Sequence, residues 1–494
     1  MFYKSTRSSQ NATATAAQVI KQGLAEDGGL FVPESIPTLT MEEITAMCGD
    51  SYPVRAAKIL SKFLTDYTYE ELLADCTAAY DESSFVGGAA PVVSLSDSID
   101  VMELWHGPTA AFKDMALQIM PRLLSRALVK TGEERTALIL VATSGDTGKA
   151  ALEGYKDIDR IKIMVFYPVD GVSHVQKLQM ATQTGSNVNV CAIKGNFDDA
   201  QTGVKMIFGD EEMAKKLCEN GYFFSSANSI NWGRLAPQIV YYVSAYCDLL
   251  ANGRCKAGDA FNVCVPTGNF GNIFAAYLAK LMGLPINKLI CASNSNNILT
   301  DFLRTGTYDR NRDFYLTMSP SMDILISSNL ERLLYFVAGS EKTSGYMADL
   351  KQKGCYTVDS DILAKIQKDF VGYFADESAT AKEIAASYRE NGYLADTHTS
   401  VAISAAKAYI KDTNDTLPMI VASTASPYKF ANNVYRSVTG KEPTSDLGAL
   451  DELMNATKTE IPYPLAGLAD RKIRFTQTVA KDEMANAVLS YLNI

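Results

Sequence analysis

Lys113 lies in the stretch ELWHGPTAAFKD (103–114), among aromatic, small and turn-forming residues rather than the charged neighbours of a surface lysine. Apolar residues recur from Phe112 at Ala116, Ile119, Leu123 and Ala127. That spacing predicts one helix with Lys113 in its first turn. An ammonium near a helix N-terminus, in apolar surroundings, is destabilised, and the neutral amine it becomes forms a Schiff base with an aldehyde. A second candidate is the turn PTGNFGN (266–272), where Gly268 and Gly271 are expected to allow positive φ ahead of the helical stretch NIFAAYLAKLMG. Free N–H groups at such a helix start hold a monoester phosphate. An aldehyde-reactive lysine and a phosphate cradle together are what pyridoxal phosphate needs. Each alone has an ordinary explanation, a helix-surface lysine or a glycine turn that joins strand to helix.

Two nucleotide-binding readings fail on residue identity. In TSGDTGKA (143–150), taking Gly148 and Lys149 as the GK pair of a P-loop leaves Thr143 where glycine is required and Ala150 where a hydroxyl must reach magnesium. In GNFGN, Phe270 fills a position that must be small for a dinucleotide's pyrophosphate. The three histidines, His106, His174 and His398, have no ligand spacing, so no metal is expected. His106 adjoins the lysine stretch and reads as structural or as a stacking partner of the site. His174 reads as a helix cap or surface residue, and His398 as packing or the edge of the site.

The elements that must position these residues alternate strand and helix. TALILVAT (136–143), IKIMVFYP (161–168), NVNVCAI, GYFFSSANS, AFNVCVP and LPMIVAS are short apolar runs, each followed by a turn or a helical pattern. Ser173 suits an N-cap, and WGRLAPQIVYYVSAYCDLL reads as one long apolar helix. Continuous apolar strands between helices imply parallel sheets covered on both faces, with ligands beyond the strands' C-terminal ends. Three polar turns fall at such ends, at 143–148, 267–272 and 423–426. With Lys113 they form one candidate site. The stretch SSFVGGAAP (83–91) is the most linker-like, which divides the chain into an N-terminal region, 1–90, and a catalytic region, 91–494. Residues 300–390 read as an inserted helical segment with a solvated surface.

Composition bounds the rest. A chain of 494 residues, 47% hydrophobic and 21% charged, is long enough for two or more packed units. With 46 basic and 56 acidic side chains its formal charge is −10. That balance disfavours nucleic acid or an anionic membrane as partner and leaves a small anionic ligand open. The nine cysteines contain no CxxC pair, which excludes a zinc cluster and suggests free thiols of a reducing compartment. The N-terminus has no apolar leader segment, so a cytoplasmic protein is expected.

Seven stretches, taken in order, resemble the threonine synthase family: GLAEDGGLFVP, HGPTAAFKD, ATSGDTG, KGNFDDAQ, NSINWGRLAPQIVYY, PTGNFGN and STASPYKF. They span roughly residues 3 to 430. The resemblance implies an α/β fold with two parallel-sheet domains of the tryptophan-synthase-β-like type, an N-terminal extension and pyridoxal phosphate as cofactor. It implies that Lys113 is the Schiff-base lysine and proton shuttle. Gly268, Asn269, Phe270, Gly271 and Asn272 match the phosphate loop, and Thr424 the hydroxyl near the pyridine nitrogen. Thr143, Ser144, Asp146 and Thr147 match the loop that receives the substrate's carboxylate. The implied reaction turns O-phospho-L-homoserine and water into L-threonine and phosphate by γ-elimination and β-hydration, in a monomer or homodimer. A threonine or serine dehydratase is the alternative. Ser426, Thr397 and Trp105 depart from the family's usual histidine, proline and phenylalanine, which bears on selectivity.

Overall fold

A computed structural model describes residues 1–8, 13–143, 145–170 and 172–494. Two parallel sheets organise the chain. The smaller runs, in spatial order, Thr478–Ala480, Val188–Lys194, Ile161–Pro168, Thr136–Ala142 and Tyr222–Ser225, all parallel. The larger runs Phe370–Phe374, Ile286–Ser293, Phe261–Pro266, Met419–Ser423 and Ile99–Glu103 in parallel, with Val92–Ser94 antiparallel on its edge. Every residue of Phe261–Pro266 and Met419–Ser423 is buried, as expected for strands covered by helices on both faces. No helix among the described residues is long and apolar enough to cross a membrane.

The strand and turn boundaries follow the apolar runs closely, and Ser173 accepts from Gln176 N–H as an N-cap. Three expectations need correction. The helix expected from Phe112 is two helices, Asp114–Leu117 and Met120–Lys130, with a proline in the first turn of the second. The long helix expected from Trp232 is likewise split into Trp232–Leu235 and Pro237–Ala251. Pro121 and Pro237 lack the N–H that would continue the preceding turn, and both are tolerated at a helix start. The segment 300–390 is not purely helical. It contributes the strand Phe370–Phe374 to the large sheet and an antiparallel pair, Thr307–Asp309 with Cys355–Thr357.

The N-terminal region folds onto this frame. Tyr3–Ser5 pairs with Phe31–Pro33, and the rings of Tyr3 and Phe63 lie 5.3 and 5.7 Å from that of buried Trp232. Thr40 and Thr68 open two of its helices with capping boxes closed by Glu43 and Glu71.

Candidate active site

The C-terminal ends of the strands bring the expected turns together. Leu104 N–H donates to the Ser423 carbonyl and Phe112 N–H to the Thr424 carbonyl, at 2.9 and 2.8 Å. These bonds fix the lysine stretch against the turn that ends Met419–Ser423. Lys113 is therefore the N-cap residue of the four-residue helix Asp114–Leu117, and its side chain is nearly buried. Its Nζ lies 3.4 Å from Ser321 Oγ and 3.8 Å from Asp146 Oδ2. Burial pulls the Lys113 ammonium below its ordinary range; Asp146 opposes that, and the positive Arg234 and Lys429 add to it. Asp114 shares the setting: burial raises its carboxyl to about 6, against hydrogen bonds from Thr109 N–H and Oγ1–H.

The loop after Thr136–Ala142 opens the helix Asp146–Tyr155, and Thr143 builds it. Thr143 Oγ1 accepts from Gly145 N–H at 3.0 Å and from Gly148 N–H at 2.9 Å. Gly145 takes φ 142°, a conformation that favours glycine. The Asp146 carboxylate is committed to partners, accepting from Gln176 Nε2 at 2.9 Å and pairing with Lys429 Nζ at 2.9 Å. Burial would raise its carboxyl, but Lys429 and Lys113 outweigh this and hold it well below the usual carboxylate range. Thr147 lies half-buried one residue on. Ser144 lies outside the described residues.

The loop 267–272 shows why glycine is needed, and the reason differs from the expected one. Gly268 and Gly271 do not adopt positive φ; Phe270 does, at 63°, with its ring buried and 5.6 Å from that of Phe370. Gly268 is required by close approach, since a Cβ there would stand 2.6 Å from the Ser321 carbonyl oxygen. Asn269 is exposed to the cleft, while its carbonyl accepts from Asn329 N–H and Nδ2, both at 3.0 Å. Asn272 begins the helix Gly271–Met282 and accepts through Oδ1 from the Tyr241 and Tyr242 hydroxyls, at 2.7 and 2.5 Å. Its Nδ2 is buried with no partner among the described residues.

Three further groups were not singled out from the sequence. Lys429 is completely buried behind Asp146. Arg234 is buried, donates to the Ala227 carbonyl at 2.8 Å and pairs with no carboxylate among the described residues. Burial lowers its guanidinium to about 10. Both are isolated cations inside apolar runs, PYKF and NWGRLAP, which is the signal that marked Lys113. The third is the strap 317–323, whose Ser321 faces Lys113. Its N–H donates to His398 Nε2 at 3.1 Å, and His398 Nδ1 lies 3.0 Å from Asp396 Oδ1. Asp323 fixes the strap from behind, accepting from Asn294, Asn296 and Thr317. His398 thus stands at the edge of the site. His106, stacked on Trp105 at 4.5 Å and bonded to Glu103 and the Val86 carbonyl, buttresses the lysine stretch. His174 is exposed at its helix start. Arg304, a cation of the segment 300–390, lies over the Tyr373 ring and donates to the Gly372 carbonyl.

A buried amine, a helix start whose Asn272 amide lacks a partner among the described residues, and a glycine that admits no side chain are groups of the kind a phosphorylated aldehyde needs. These residues fit pyridoxal phosphate. Residues 101–414 match the family profile described as pyridoxal-phosphate dependent enzyme. Residues 2–80 match that of the threonine synthase N terminus, and 399–488 that of the threonine synthase C-terminal region. The chain belongs to the threonine synthase family. It is 38% identical over 491 residues to threonine synthase of Pseudomonas aeruginosa, covering 98% of this chain and 97% of that one. It is 41% identical over 440 residues to human threonine synthase-like 1, covering 86% of this chain but only 58% of that longer protein. The crystal structure of pyridoxal-phosphate-bound threonine synthase from Brucella melitensis superposes with a TM-score of 0.88 at 37% identity, covering 99% of both chains. Yeast threonine synthase gives 0.89 at 33% identity, covering 100% of this chain and 99% of that one.

Proposed function

We propose that this chain converts O-phospho-L-homoserine and water into L-threonine and phosphate, and that Lys113 performs the proton transfers. The observation that carries this reading is the buried Lys113 amine, destabilised as an ammonium and facing Ser321, whose carbonyl closes on Gly268 just ahead of the helix Gly271–Met282. Pyridoxal phosphate bound there supplies an electron sink for charge developing at the substrate's α and β carbons. Lys113 would hold its aldehyde carbon, the N–H groups and Asn272 amide of 268–272 its phosphate, and Thr424 would lie by its pyridine nitrogen. A hydroxyl at that nitrogen leaves it largely unprotonated, which moderates the sink.

The side chains then divide the work. Released from its covalent duty, the Lys113 amine takes the proton from the substrate's α carbon and serves again as acid when protons return. Loss of a β proton breaks the bond between Cγ and the phosphate oxygen. Water adds its oxygen at Cβ, and Cγ gains a proton to become the methyl group of threonine. Thr143 shapes the loop whose free N–H groups, with Ser144 and Thr147, would receive the substrate's carboxylate. The Asp146 carboxylate would repel that group, so Asp146 contributes its N–H and its contact with the lysines. Arg234 would receive the substrate's phosphate, because a buried guanidinium without an acidic partner is costly until an anion pairs with it.

We propose also that the catalytic unit begins near residue 90, because Val92–Ser94 is the first strand of the large sheet. The partner is then a small molecule, which the net charge of −10 allows. Nine free thiols support a reducing, cytoplasmic compartment. The deciding experiment measures threonine and phosphate released from O-phospho-L-homoserine with pyridoxal phosphate present, with Lys113→Ala as control. Equal yields of both, abolished in the variant, support the reading. Retained turnover in the variant, or turnover of threonine or serine alone, defeats it.

A further inference from the structure

Lys429 has no part in the scheme above, yet its side chain is completely buried and its ammonium faces the site. Its Nζ is 2.9 Å from Asp146 Oδ1, 2.8 Å from Gln179 Oε1 and 3.2 Å from the Thr109 carbonyl. It thus has an acceptor for each of its three N–H bonds. Among the described residues Lys113, on the other oxygen of the same carboxylate, has the 3.8 Å approach to Asp146, the 3.4 Å approach to Ser321 and the face of the Phe112 ring at 5.0 Å, and so fewer acceptors than Lys429. One carboxylate is therefore shared between two lysines, and it lies 0.9 Å (3.8 − 2.9) closer to Lys429.

We propose that Lys429, acting through Asp146, is a positioning residue that holds the carboxylate's charge away from Lys113 and so keeps the Lys113 amine free to act as nucleophile and base. This rests on the reading of Lys113 as the cofactor-bearing lysine. Without Lys429, a buried carboxylate 3.8 Å away would hold Lys113 as an ammonium, which neither attacks an aldehyde nor takes a proton. With it, the cluster of two cations and one anion carries an excess positive charge. That charge is shed most easily by the lysine with the poorer set of acceptors, which is Lys113. The other charged groups facing Lys113 are Arg234, from the helix Trp232–Leu235, and Asp114, on its own helix. Those facing Lys429 are Asp114 and Lys149. Each of these three groups remains in the variants below.

The test follows pyridoxal phosphate capture by the full-length protein freed of cofactor, read as the growth rate of its visible absorbance across pH. The capture rate rises as the attacking amine loses its proton. Lys429→Met should move the midpoint up by about one pH unit, because both a repelling cation and the counter-ion of Asp146 are lost. Asp146→Asn should move it down by a similar amount. The double variant should return toward wild type. Shifts in the same direction, or none in either single variant, would overturn the proposal and leave Lys429 a structural staple. If Lys429→Met does not fold, the double variant must still lie above Asp146→Asn, and coincidence of those two overturns the proposal equally. A wild-type protein that forms no band, like the Lys113→Ala control, would instead overturn the cofactor site itself.

Discussion

Gly268→Ala probes the cofactor cradle through a single methyl group. The added Cβ would lie 2.6 Å from the Ser321 carbonyl oxygen, against an ordinary contact of 3.4 Å or more, so some group must retreat by about 0.8 Å (3.4 − 2.6). The strap does not yield cheaply. His398 holds Ser321 N–H, and Asp323 anchors the strap by bonds from Asn294, Asn296 and the Thr317 hydroxyl at 2.7, 2.9 and 2.7 Å. The displacement therefore falls on the loop 267–272, whose N–H groups would hold the cofactor's phosphate. Overpacking of this kind costs about 1–3 kcal/mol. If most of that appears as lost cofactor binding, the Kd for pyridoxal phosphate rises about tenfold to hundredfold. The assay is a fluorescence or absorbance titration of the cofactor-free protein. Gly345→Ala serves as control, since nothing stands within 4 Å of the Cβ it would add. An affinity within about twofold of wild type in Gly268→Ala would show that the strap moves freely, and the argument from close approach would fail.

Other outcomes follow from the same geometry. Lys113→Ala should keep the wild-type melting profile without cofactor and lose both turnover and the visible band, which differential scanning fluorimetry and absorbance will check together. Arg234→Gln should raise KM for the phosphorylated substrate about tenfold or more while sparing cofactor affinity; an unchanged KM would remove Arg234 from the phosphate site. Asp114 titrates at about 6 when folded, above an ordinary aspartate. Between about pH 4 and 6 the folded state therefore holds more protons than the unfolded one, so stability falls as pH rises through that window. Asp114→Asn should abolish this loss, worth about 2–3 kcal/mol, in urea denaturation repeated across pH. A wild-type slope retained in the variant would show that the burial of Asp114 is offset elsewhere.

Much of this site was legible because its residues sit at strand ends, where apolar runs stop abruptly. Thr143, Thr267 and Thr424 each follow a buried strand, and that periodicity survives any choice of tertiary partner. Lys113 was legible as a cation without polar neighbours. The glycine argument named Gly268 for a backbone conformation that it does not adopt. Positive φ fell on Phe270, where a buried ring packing on Phe370 offsets the strain, and the need for Gly268 comes from a strap over fifty positions away in sequence. Arg234 and Lys429 carried the same local signal as Lys113 but were read as parts of motifs. What distinguishes them is the absence of a carboxylate in one case and the sharing of one in the other, facts of tertiary pairing. Pro121 and Pro237 mark the helix breaks in the sequence, but the apolar stripe continues across each and masks it.

The N-terminal residues bear on the order in which the molecule becomes competent. Thr6 and Arg7 bind Glu331 at 2.6 to 2.8 Å, while Arg332 reaches back to the Phe31 carbonyl at 3.0 Å. Asn329, one turn earlier, clasps the Asn269 carbonyl of the loop 267–272. The clasp between Thr6 and Glu331 closes a loop of 325 residues. Contacts of such separation form late, and the pairing of Met419–Ser423 with Ile99–Glu103, 320 residues apart (419 − 99), belongs to the same late class. A nascent chain therefore pairs Thr136–Ala142, Ile161–Pro168 and Val188–Lys194, close together in sequence, well before the loop 267–272 is braced through Asn329 and Glu331. A protein that has lost its first seven residues would keep its sheets and still lack the contacts to Glu331 that brace the loop 267–272 from behind.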